Sequence, residues 1–301
     1  GISGRSSSDI FAVGDGGTVL HYNGLNWILM NSGTGNSLQA VWASVSSDVF
    51  AVGNGGIILH YDGMTWTYVS AGKTVLRGVW GSSPSEVFAV GDNGTILKYD
   101  GAAWAAMTSG TTSALRGIWG KSSSNVYVVG DGVVLHYNGQ TWTVVRSGDP
   151  LRCVWGNSTS DVFVAGDNGT ILRYDGAEWT AMSSGTTQNL NSLWGSSSSD
   201  IFAVGNQGTI VHYDGTAWMP MTGDATGSLY GVWGNPASDV FAVGASGTIM
   251  SCDGAIWRAK SSGATNTLRG IWGSSSSDVF TASHAGAVLH YDGASWTAMA
   301  S

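Results

Sequence analysis

The chain has 301 residues, of which 46 are Gly and 15 Trp, and only 11% are charged, with 12 Lys plus Arg against 20 Asp plus Glu for a formal charge of -8. This composition predicts many short strands joined by tight turns rather than long amphipathic helices, and the acidic balance removes the electrostatic basis for binding nucleic acid or anionic lipid. No apolar run approaches the roughly 18 residues of a spanning helix, so no transmembrane segment is expected, and the opening GISGRSSSD lacks the pattern of an export signal.

Four elements recur in chain order. The first, strand A, ends in a VWG or IWG tripeptide that supplies Trp42, Trp80, Trp119, Trp155, Trp194, Trp233 and Trp272, with Ser3 of GISG at the equivalent first place. Strand B follows a Ser-rich link and begins at an acidic or amide position: Asp9, Asp48, Glu86, Asn125, Asp161, Asp200, Asp239 and Asp278, spaced by 39, 38, 39, 36, 39, 39 and 39 residues. Val49, Phe50, Ala51 and Val52 make strand B apolar on both faces, so it needs cover on each side. A short turn such as GDNGT at 91–95 predicts left-handed dihedrals and a tight hairpin into strand C. A second hairpin of the form YDGxxW then leads into strand D at Trp27, Trp66, Trp104, Trp142, Trp179, Trp218, Trp257 and Trp296, and with these all 15 tryptophans belong to the repeat.

Eight units of about 39 residues, each holding four antiparallel strands, predict an all-β, eight-bladed β-propeller, because a linear stack would leave two apolar end faces uncovered. The whole of 1–301 is expected to be one domain with blades at approximately 1–38, 39–76, 77–115, 116–151, 152–190, 191–229, 230–268 and 269–301. No strand is shared between blades, so packing of blade one on blade eight must close the ring. Cys153 and Cys252 fall at different places of different repeats and read as small hydrophobes rather than a bridge.

The order LRGVWG, DVFAVG, GTIL, YDGxxW resembles the bacterial Asp-box (BNR) and photosystem-assembly-factor type of propeller repeat over the whole chain. It departs from the Asp-box in that Asp62 to Trp66 is four residues rather than five, and His60 and Tyr61 replace the usual hydroxyl residue. The resemblance implies that strand A lines a central channel and strand D the rim. It also implies that the D–A loops and B–C turns share one face, with the A–B and C–D links on the other.

On that frame, the residues two before the strand A Val or Ile would ring the channel mouth: Gln39, Arg77, Arg116, Arg152, Asn191, Tyr230 and Arg269. Guanidinium forks there can take a carboxylate, sulfate or phosphate in bidentate fashion, or else pair with Asp15, Asp92, Asp131 and Asp167 of the adjacent turns. His21, His60, His136, His212 and His290 share one position of strand C, where other blades carry Lys98, Arg173 and Ser251, and are too dispersed around a ring to converge on a metal. His284 is a lone turn residue. Seventeen of the twenty acids occupy repeated turn positions, where carboxylates accept backbone hydrogen bonds. Only Asp149, Glu178 and Asp224 depart from the repeat, and nothing brings two of them together as a glycosidase pair.

The expectation is therefore a non-catalytic binding propeller, monomeric, without metal or cofactor, extracellular or periplasmic, that presents its top face or inter-blade grooves to a glycan or protein partner. The alternatives are a scaffold binding one protein at the channel mouth and, by fold analogy alone, a sialidase-type hydrolase dependent on Glu178.

Overall fold

The computed structural model describes residues 1–45, 47–235, 239–254, 256–283 and 286–299, which leaves His284 outside. The described residues form 32 strands, β1 to β32 in chain order, grouped as eight four-stranded antiparallel sheets, each built from consecutive strands. In blade three, β9 (Leu76–Ser83), β10 (Glu86–Gly91), β11 (Ile96–Tyr99) and β12 (Trp104–Met107) are strands A to D. The protein is an eight-bladed β-propeller.

The two-sided apolar character of strand B explains the ring. Val87, Phe88, Ala89 and Val90 are all completely buried, one face turned to each neighbouring blade. The core is accordingly a set of eight hydrophobic clusters, one per seam. Phe88, Val90 and Ile96 of blade three, for instance, pack with Leu115, Val128, Leu135 and Trp142 of blade four. The seam between blades eight and one has the same make-up, with Phe280 and Val288 against Ile10, Leu20 and Trp27. Strand β1 (Ile2–Ser6) lies between β5 (Leu38–Val45) and β29 (Leu268–Ser275), so packing alone closes the ring, without a shared strand.

Strand A tryptophans set the spacing between blades. Each ring lies on the glycine of the next blade's strand A, so that a Cβ placed on Gly81, Gly120, Gly156 or Gly273 would fall 2.4–2.6 Å from the indole of Trp42, Trp80, Trp119 or Trp233. No side chain fits at that distance. The one exception explains itself: blade one carries Ser3 in place of the tryptophan, and the facing position of blade two is Ala43 instead of Gly.

The turns sort onto two faces as the resemblance implied. The B–C turn places Asn93 at φ 56° and Gly94 at φ 66°, the left-handed pair expected from GDNGT. The D–A loops fold over it from both sides: Gly94 N–H donates to Ser113 O of the following loop at 2.8 Å, and Asp92 N–H to Val75 O of the preceding one at 2.9 Å. On the opposite face the C–D glycine meets the A–B link, since a Cβ on Gly63 would touch Ser47 at 2.7 Å.

Candidate functional site

Strand A enters each blade through a break in register. In blade three Leu76 pairs with Gly91 and Gly78 with Val90, leaving Arg77 as the extra residue of a β-bulge. The same break isolates Gln39, Arg116, Arg152, Asn191, Tyr230 and Arg269. A bulge residue escapes the strand's alternation and its side chain is re-aimed. All seven consequently line one cavity of about 300 Å³ at the channel mouth.

Their partners stand fifteen residues downstream, in the B–C turn of the same blade. Arg77 donates to both oxygens of Asp92 at 2.6 and 2.9 Å, Arg116 to both of Asp131 at 2.6 and 3.0 Å, and Arg152 to Asp167. The amides pair with amides: Gln39 donates to Asn54 and Asn191 to Asn206, each at 3.0 Å. Asp131 is held below the usual carboxylate range, first by its hydrogen bond from Arg116 and then by the charges of Arg116, Arg77 and Arg152, against a desolvation cost. The Arg116 guanidinium is correspondingly raised, chiefly by Asp131.

Arg269 differs. Its guanidinium lies 5.0 Å from the centroid of the Tyr230 ring, a cation–π contact, and forms no salt bridge among the described residues. Arg269 and Gln39 also line an adjoining cavity of about 300 Å³ that includes Asp15 and Ser283. The mouth thus holds three Arg–Asp pairs, two amide pairs on opposite sides of the ring, and one arginine with no salt bridge among the described residues.

Of two other repeated acidic positions, one resolves as expected and the other does not. The six YDG aspartates accept backbone hydrogen bonds, as where Asp62 Oδ1 takes the N–H groups of Met64 and Thr65 at 2.8 and 2.7 Å. The strand B acids bond side chains instead: Asp9 to His21, Asp48 to His60, Glu86 to Lys98, Asp161 to Arg173, Asp200 to His212 and Asp278 to His290, at 2.7–2.9 Å. The reason is strand register. Phe11 pairs with His21, so Asp9, two residues before Phe11, shares its face and reaches the same imidazole, which stacks on Phe11 at 4.2 Å.

Asp149 and Asp224 lie in D–A loops and Glu178 in a C–D turn, at opposite ends of the blades. Both cysteines are free, and burial pushes the Cys153 thiol up to about 12. No set of three His, Cys, Asp or Glu side chains that could hold a metal occurs among the described residues, and none of their helices is long and apolar enough to cross a membrane.

The fifteen-residue pairing was readable in the sequence as matched substitutions, Arg with Asp and amide with amide. The bulge that turns those side chains into the channel had no sequence signal of its own.

No family model and no curated protein matches the chain. Solved structures do. The computationally designed Ika8 protein superposes with a TM-score of 0.78 at 15% identity, over 99% of this chain and 94% of the other. YCF48 bound to D1 peptide gives 0.65 at 15% identity, over 83% and 90%, and the WD40 β-propeller domain of Doa1 gives 0.67 at 14%, over 84% and 92%. At these identities the likeness is one of fold.

Proposed function

We propose that this propeller is a non-catalytic interaction module whose channel mouth docks a carboxylate-bearing segment of a protein partner. The observation that carries the reading is the mouth itself: seven bulge residues converge on one cavity, and of its four arginines only Arg269 lacks a carboxylate among the described residues. A guanidinium at a concave site with no salt bridge among the described residues selects one anionic group, while Gln39, Asn191 and Tyr230 offer hydrogen bonds to a peptide backbone. That YCF48, a propeller of similar fold, is seen with a bound peptide supports a peptide-sized occupant. A hydrolytic role finds no support in the off-repeat acids, which stand on opposite faces.

The test is selection from a random peptide library displayed with free C-terminal carboxylates, run beside its amidated counterpart. Free carboxylates should be enriched, and Arg269→Gln should weaken the selected peptides by at least about tenfold, the scale of one charge-assisted hydrogen bond. Replacing Arg77, Arg116 and Arg152 together by Gln should also weaken binding, because it exposes Asp92, Asp131 and Asp167. Equal capture of both libraries, or full retention by Arg269→Gln, refutes the reading.

A further inference from the structure

The ring is most irregular at the seam between blades four and five, and the irregularities converge. Asn125 stands where other blades carry Asp or Glu, so His136 lacks the carboxylate partner of its counterparts. Both Asn125 Oδ1 and His136 Nε2 are buried without a hydrogen-bond partner. Tyr127 replaces the strand B phenylalanine, and His136 stacks on it at 4.5 Å. The outer strand, β16 (Trp142–Ser147), pairs Arg146 with Val134 but Val144 with Leu135, so Val145 is a bulge residue. Among the described residues, no other outer strand pair has such a break. Arg146, opposite Val134, occupies the register position that holds Met107 opposite Ile96 in blade three and Met182 opposite Ile171 in blade five. Across the seam, Glu178 is the one acidic residue at its position of the YDGxxW turn.

Of these, Tyr127, His136, Val145, Arg146 and Glu178 line a single cavity of about 450 Å³, walled also by Tyr174 and Trp179. Its volume falls within the ~300–1,000 Å³ of small-molecule sites. Neither Arg146 nor Glu178 forms a salt bridge among the described residues. Their opposite charges leave the rim electrically balanced, which disfavours an ionic ligand of either sign. The aromatic walls favour a flat apolar face, and the unpartnered imidazole nitrogen, the guanidinium and the carboxylate require a ligand rich in groups that both donate and accept. A pyranose offers both: a ring face of C–H groups and a rim of hydroxyls.

We infer that the groove between blades four and five is a single binding site for a neutral saccharide, lateral to the channel mouth and independent of it. The readings of one site per groove and of no lateral site make different counts. Saturation-transfer NMR against neutral hexoses, N-acetylhexosamines and their disaccharides, with glucuronate and tyrosinamide as the charged and aromatic controls, should find a neutral sugar that binds at one per chain. Glu178→Gln and Arg146→Gln, both at exposed positions, should each weaken it by about tenfold, the scale of a hydrogen bond to a charged group. Asn125→Asp, which supplies His136 with the carboxylate found in other blades, should weaken it as well. Arg269→Gln should leave it unchanged, which separates this site from the channel mouth. Absence of binding across the neutral panel, preference for either control, a stoichiometry well above one, or indifference to Glu178→Gln and Arg146→Gln overturns the assignment.

Discussion

Replacing Gly120 by Ala tests the rule that spaces the blades. The added Cβ would stand 2.6 Å from Cη2 of Trp80 and 2.8 Å from its Cζ2 and Cζ3, well inside van der Waals contact. The indole cannot retreat freely, because it stacks on Phe88 at 6.4 Å and belongs to the blade three–four core. Overpacking of this kind costs about 1–3 kcal/mol, offset by roughly 0.4–1 kcal/mol from the lower entropy of the unfolded alanine chain. For a net loss of about 1–2 kcal/mol, the specific unfolding entropy of a domain this size predicts a fall in Tm of roughly 2–3 °C. The decisive measurement is the double variant, by differential scanning fluorimetry. Trp80→Ser with Gly120→Ala recreates the Ser3 and Ala43 pair found between blades one and two. It should be more stable than the sum of the single losses predicts, by a coupling of about 1–2 kcal/mol. Additive losses, or a Gly120→Ala protein as stable as the parent, would refute the steric argument.

Asp92→Asn should cost about 1 kcal/mol in chemical denaturation, since it breaks a partly exposed bidentate pair, and should strengthen capture of carboxylate peptides by releasing Arg77; weaker capture would count against the channel-mouth reading. In the C–D turns, Asp62, Asp100, Asp175 and Asp292 are lowered first by backbone N–H bonds, and Asp214 is lowered to about 2, first by the Thr216 hydroxyl. Folded values below the unfolded 3.8 mean that this stabilisation is complete above that pH and lost as pH falls through the folded values, so an acid titration should show stability declining below about pH 4. Asp214→Asn should keep the turn, as Asn23 and Asn138 do, and reduce the decline. Burial lowers the pKa of His136, so the fold favours its neutral form and loses stability as pH drops below 6.5; Asn125→Asp should raise that pKa in an NMR titration. Cys153, its thiol pushed up to about 12, should resist iodoacetamide at pH 8 in the native protein and react on unfolding.

Blade number, strand order and the residues of the channel mouth were legible in the chain because each rests on local pattern repeated eight times. A strand that is apolar on both faces has to be sandwiched, and the Trp–Gly contact leaves its own record in Ser3 and Ala43. The fifteen-residue pairing of Arg77 with Asp92 is equally local, within one hairpin.

Three features belong to the tertiary structure. Strand register decided that Asp9 meets His21 rather than a backbone amide, because a residue's face depends on which partner it stands beside. Bulges decided that Arg77, Tyr230 and Arg269 point into the channel, since an extra residue breaks the alternation from which direction is inferred. And only the closing of blade four against blade five assembled His136, Val145, Arg146 and Glu178, up to 42 positions apart in the chain, around one groove. Their separate substitutions look unconnected until packing makes them neighbours.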